Sequence, residues 1–183
     1  MNLYFYPPKK LNKNDVMEIS TYNTSFIKLN GCSNIHFEGL KITDSLSYGI
    51  YIENSSNITV RNCIIRNMGT MGIRVLNSKN CLVEGCTIYE IGKYAIQLRG
   101  GGNLETLAPS GNRVANNHLY NFATRNCMQD KTGINVGRSS NNTTIGDIVE
   151  NNIIHGQPNA YAIIYGGLEN IIRYNEMFSV TND

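Results

Sequence analysis

Repetition constrains this chain more than any other feature. The segment "SNITVRNCIIRNMGTMGIRVLNS", Ser56 to Ser78, aligns column by column with "SNIHFEGLKITDSLSYGIYIENS" before it and "KNCLVEGCTIYEIGKYAIQLRGG" after it. One apolar marker in each unit, Phe37, Val60, Val83, Val114, Val149 and Ile172, recurs at spacings of 23, 23, 31, 35 and 23. A fixed period of this length marks a chain built from stacked units, none of which can bury its apolar face alone.

Within each unit the apolar runs are three to five residues long, alternate with a period of two, and are bounded by Asn, Gly or Ser. That pattern is a short strand, not a helix turn. Three short strands in roughly 23 residues gain a buried face only by coiling, each strand pairing with its equivalent in the next coil. The expected fold class is therefore all-β: a right-handed parallel β-helix of about six coils. A leucine-rich repeat would need a Leu frame and a helical segment, and a propeller blade about 40 residues with hairpin turns.

The turns carry the same message. The chain holds 27 asparagines, and Asn tolerates the left-handed backbone and bonds its own turn. One turn column reads Gly39, Asn62, Gly85, Asn116, Asn151, Tyr174; the next reads Leu40, Cys63, Cys86, Asn117, Asn152, Asn175. The latter predicts an inward ladder of thiols and then amides bonded along the stack. Cys63 and Cys86 are expected as free, buried thiols, because in-register parallel neighbours suit disulfide geometry poorly.

Composition narrows the function. Net charge is +2 and no basic run interleaves with aromatics, which disfavours a nucleic-acid partner. No apolar stretch reaches the roughly 18–20 residues of a membrane span, and "MNLYFYPPKK" lacks the pattern of a signal peptide. With no CxxC pair and no carboxylate cluster at coil spacing, no metal or cofactor is expected.

On a solenoid, function sits where the repeat is interrupted. Residues 1–30 are expected to form a lead-in or partial cap and 31–183 the coils, with insertions at 99–111, 122–132 and 137–148. These loops gather over the C-terminal coils and bring Arg125, Asp130, Lys131, His155, Asn159 and Tyr161 toward one groove. Such side chains beside a strand wall suit a polysaccharide or oligosaccharide, which needs many directed hydrogen bonds. His36 and His118 are expected to be ordinary outward strand residues.

Three stretches carry a resemblance: "LYFYPP", "GGNLETLAPSGNRVANNHLYNF" and "AIIYGGLENIIRYNEMFSV". The chain resembles the β-helix proteins of the pectate-lyase-like superfamily, in particular the glycoside hydrolase family 141 branch. The resemblance implies an extracellular or periplasmic enzyme that cleaves glycosidic bonds, and it makes Asp183 one of two catalytic carboxylates. It also implies that the second lies beyond this chain, which would then be an internal piece of a longer protein. The branch has His where Asn159 stands, and a Trp with an Arg-Thr-Tyr run where this chain reads "TRNCMQDKTG". Hydrolysis needs two carboxyls flanking the bond, and Asp130 is the speculative partner within the chain. The alternatives are a polysaccharide lyase and a non-catalytic glycan-binding or structural β-helix.

Overall fold

A computed structural model of the chain describes residues 10–14, 19–125, 131–137, 143–156 and 160–180. Six coils of three strands follow one another. They are β1 (Ile27–Asn30), β2 (Ser33–Glu38) and β3 (Lys41–Ser45); β4 (Tyr48–Glu53), β5 (Ser56–Arg61) and β6 (Ile64–Met68); and β7 (Met71–Leu76), β8 (Leu82–Glu84) and β9 (Thr87–Ile91). Then come β10 (Tyr94–Arg99), β11 (Arg113–Ala115) and β12 (His118–Tyr120); β13 (Thr132–Val136), β14 (Ile148–Glu150) and β15 (Ile153–His155); and β16 (Tyr161–Tyr165), β17 (Ile171–Arg173) and β18 (Glu176–Phe178). Strand one of every coil joins sheet A, strand two sheet B and strand three sheet C, each sheet six-stranded and parallel throughout. This is the β-helix that the period predicts.

The period-2 alternation fills the interior. In sheet A, Ile50, Ile73, Ile96 and Ile134 stack in register; in sheet B, Val60, Val83, Val114 and Val149; in sheet C, Ile65, Ile88, Leu119 and Ile154. All are buried. Each fully buried aliphatic side chain contributes about 1.5–3 kcal/mol, so a column of four matters more to the coil stack than any single turn.

The B-to-C turn works as its sequence suggests. Gly39, Asn62, Gly85, Asn116, Asn151 and Tyr174 all have φ between 53° and 67°. The next column turns inward. Asn117 Nδ2 donates to Asn152 Oδ1 at 2.9 Å and to the Val83 carbonyl at 3.0 Å, and Asn152 Nδ2 donates to Asn175 Oδ1 at 2.9 Å. Cys63 and Cys86 open this ladder as free, buried thiols, and burial pushes the Cys86 thiol up to about 12.

A second ladder at the A-to-B turn runs Cys81, Asn112, Asp147, Asn170, each backbone N–H donating to the next side-chain oxygen at 2.9–3.2 Å. A carboxyl stands here among amides. Asp147 Oδ1 accepts from Ser110 at 2.5 Å, while Oδ2 is buried without a partner. Burial raises the Asp147 pKa to about 6 against those hydrogen bonds.

Candidate functional site

In the first coils, sheet C passes to sheet A through two residues, as at Leu46–Ser47, Gly69–Thr70 and Gly92–Lys93. The later coils lengthen the connections on both sides of sheet A. Residues 100–112 and 137–147 leave it toward sheet B; residues 121–131 and 156–160 arrive from sheet C. Sheet A is therefore flanked by lengthened connections at both margins, which neither of the other sheets is, and its outer face between them is the candidate furrow.

The floor of the furrow is one row of outward side chains. Register places Lys28, Tyr51, Arg74, Gln97, Asn135 and Ile164 in line, one per coil, at about 4.8 Å per step. The Arg74 guanidinium lies 5.3 Å from the Tyr51 ring centroid and 5.8 Å from that of Tyr48, and donates to Tyr48 Oη at 3.2 Å. Burial, and next a hydrogen bond with Glu53, raise the Tyr51 pKa. Further along the row, Gln97 is 4% exposed and Asn135 1% exposed, although both point away from the core.

These floor groups are incompletely bonded. Among the described residues, the buried side-chain polar atoms without a partner include Arg74 Nε, Gln97 Oε1 and Asn135 Oδ1 of this row, and Arg99 Nε two residues beyond Gln97 on the same face. Only Arg66 Nε and Asp147 Oδ2 lie elsewhere. A buried polar atom with no partner is uncommon and calls for an explanation. Here four of them lie along one furrow.

Three residues expected from the sequence edge this furrow on its sheet C side. Lys131 directly precedes β13, and its carbonyl accepts from the Tyr161 N–H at 2.9 Å. Tyr161 opens β16 and is 50% exposed. The Arg125 N–H donates to the Gly92 carbonyl at 3.2 Å. Its side chain lies across Gly69 and Gly92, where any Cβ would meet it at about 3 Å. Arg125 also lines an open depression of about 290 Å³ with Asp44, Asn67, Glu90 and Thr124. A hydrogen bond from Thr43, and next one from Asn67, hold the Asp44 carboxyl below its ordinary value.

His155 is placed differently. It ends β15 on the outer face of sheet C, its Nε2 2.8 Å from His118 Nε2 and its ring stacked between Tyr120 and Phe178. Asp130, Asn159 and Asp183 lie outside the described residues.

The expectation of a loop-built groove missed the floor itself. Its signal is present in the third letters of "GIYI", "GIRV", "AIQL" and "GINV", which are Tyr51, Arg74, Gln97 and Asn135. Among the described residues, no three His, Cys, Asp or Glu side chains come together as metal ligands, and no helix is long and apolar enough to cross a membrane.

The model of a right handed beta helix region matches residues 9–177, nearly the whole chain. The chain belongs to the right-handed β-helix family. Its fold is similar to a crystal structure of a mutant periplasmic alginate epimerase, with a TM-score of 0.52 and 16% identity over 84% of this chain. The β-helix described here spans 36% of that protein's length. It is also similar to an alginate lyase from Paenibacillus sp. str. FPU-7, with a TM-score of 0.47 and 16% identity over 89% of this chain and 71% of that one. A search of curated proteins found no match.

Proposed function

We propose that this β-helix acts on a polysaccharide laid along the outer face of sheet A, and that the reaction is hydrolysis of a glycosidic bond by two carboxylates. The observation that carries the reading is the row of buried, incompletely bonded polar side chains on the furrow floor. Hydroxyl-rich ligands complete such hydrogen bonds one by one, and a row repeating at every coil suits a polymer of repeating units. The guanidiniums of Arg74 and Arg99 favour acidic sugars, because an arginine fork matches a carboxylate. The structurally similar periplasmic epimerase is named for alginate, which agrees with this substrate class and with an extracellular or periplasmic location.

In this reading Asp183 is one catalytic carboxylate, with its partner supplied either by Asp130 or by chain beyond this one. One carboxyl protonates the leaving oxygen; the other acts as nucleophile or activates water. Arg125, Lys131 and Tyr161 hold the sugar at the sheet C margin, and Asn159, outside the described residues, is a further sugar contact. His155, on the outer face of sheet C beside His118, is the sugar contact furthest from this margin.

The two floor arginines favour a second reading, a lyase acting on uronates. A panel of neutral and acidic polysaccharides tests both. New reducing ends without ultraviolet absorbance support hydrolysis; an unsaturated, ultraviolet-absorbing product supports elimination. Binding that persists with no product, and that is unaltered in Asp183→Asn, leaves only the glycan-binding module. Absence of binding to every member of the panel overturns the proposal.

A further inference from the structure

The corner where sheet C passes into sheet A carries a recess that the furrow floor does not use. Asp44, Asn67 and Glu90 form one column, each the last residue but one of its sheet C strand, with left-handed φ angles of 69°, 53° and 55°. Asn and Asp adopt this backbone readily; Glu does so at a cost, and strain of this kind gathers where ligands bind. Asn67 Nδ2 donates to Asp44 Oδ1 at 2.8 Å. A carboxylate has no donor with which to continue the run, so it stops at Glu90, which is exposed.

The turns beside this column are small enough to leave a hollow. Gly69 and Gly92 follow Asn67 and Glu90 by two residues, and the Arg125 side chain runs back over both. A Cβ on Gly92 would meet its Cδ at 3.1 Å, and one on Gly69 its Nη2 at 2.9 Å. Arg125, Asp44, Asn67 and Glu90 thus line the depression of about 290 Å³. Its turn residues Leu46, Gly69 and Gly92 each stand two residues before β4, β7 and β10, the strands that carry Tyr51, Arg74 and Gln97. The hollow therefore adjoins the sheet C margin of the furrow.

We propose that this recess seats a neutral, hydroxyl-bearing side branch of the polysaccharide whose main chain lies along sheet A, a proposal that rests on that placement of the main chain. The carboxylates of Asp44 and Glu90 accept from sugar hydroxyls, and the guanidinium of Arg125 donates to them. Hydrogen bonds from Thr43 and then Asn67 keep Asp44 ionised. Two carboxylates against one guanidinium leave the lining negative, which repels an acidic branch. Lys41 and Arg66 act on Asp44 from sheet C but do not line the recess. The furrow floor beside it has the opposite sign, with Lys28 and Arg74 in its row. Main chain and branch are therefore selected by opposite charges.

Affinity electrophoresis of the whole chain tests the recess on rhamnogalacturonan with neutral arabinan branches and on the same polymer debranched, and on arabinoxylan, glucuronoxylan and unbranched xylan. Neutral branches should tighten retention about tenfold over the bare backbone, the worth of one charged hydrogen bond. The acidic branches of glucuronoxylan should add nothing. Glu90→Asn and Asp44→Asn each remove a carboxylate and install a residue at home in the left-handed backbone, so the fold is kept. Each should abolish the preference for branches and leave retention of the bare backbone as it was, whereas Gln97→Leu on the floor should weaken both. Equal retention of branched and bare polymers, a preference that survives both substitutions, or tighter retention of glucuronoxylan than of arabinoxylan overturns the proposal while the furrow stands. If none of the polymers is retained, the branch site and the furrow reading fall together.

Discussion

Sheets A and C are built on the same parallel backbone ladder, yet their outer faces are finished in different ways. On sheet C the outward side chains bond to one another. Tyr89 and Tyr120 stack at 4.8 Å and 6°, Tyr120 stacks on His155, and His155 stacks on Phe178 at 4.7 Å. Ring faces inside the stack are covered by their neighbours, and Phe178 at its end is exposed. On sheet A the outward row is polar, buried in its middle coils and short of hydrogen bonds. A face whose groups satisfy one another contributes stability; a face whose groups lack partners keeps that bonding capacity for something else. The difference separates a structural wall from a binding floor.

The largest effect is expected where sheet A meets its loop margin. Asp147 ends the 137–147 connection and has a pKa raised to about 6 in the fold, above its ordinary 3.8. A raised carboxyl pKa means that the folded chain holds the proton more tightly than the unfolded one. The proton's contribution is fully present below about pH 4 and is lost as pH rises through about 6, costing roughly 3 kcal/mol by pH 7. Asp147→Asn restores an amide to the ladder and removes this dependence. Its stability advantage over the natural chain should grow between pH 4 and pH 7 in denaturant melts. An advantage that does not change with pH would show that Asp147 is not the titrating group.

Breaking the sheet C wall comes next. Tyr120→Ala removes two stacked neighbours worth about 0.5–1.5 kcal/mol each, a loss of roughly 2 kcal/mol. Thermal unfolding should shift down while glycan affinity stays the same, because the furrow lies on another face. A fall in affinity equal to that of a floor variant would erase the distinction between the two faces.

The floor should respond in the opposite sense. Gln97→Leu replaces a buried, unpartnered amide oxygen with an apolar group of similar length. The fold should gain about 1 kcal/mol, and affinity electrophoresis on the cognate glycan should show weaker retention. Stability gained and binding lost together is the signature of a functional position. Sheet B supplies the reference point. The Arg61–Glu84 pair at 2.8 Å is partly exposed to solvent, and Arg61→Ala should cost less than about 1 kcal/mol.

Much of this molecule is legible in the order of its residues. The 23-residue period dictates the coils, the alternation dictates the inward columns, and the Asn, Gly and Cys columns dictate the turn and the ladder. These are local signals, read along the chain with a period of two and down the stack with a period of one coil. The floor row is equally periodic, since Tyr51, Arg74, Gln97 and Asn135 recur at one place in the repeat. Its signal is weaker than that of the loops, where chemistry-bearing residues are dense, because four different side chains share the position and no one residue type marks it.

Tertiary structure decided the rest. That all the insertions flank one sheet depends on which turn each interrupts, and that follows only once strands are assigned to faces. The meeting of His118 and His155, 37 residues apart on a diagonal, depends on side-chain torsions that no spacing encodes. So does the missing partner of Asp147 Oδ2: the sequence shows an Asp in a column of Asn, but only packing shows that nothing buried there donates to it. Backbone registry is periodic and so is written into the chain. Side-chain satisfaction depends on what the neighbouring coil brings, and it is settled when the coils stack.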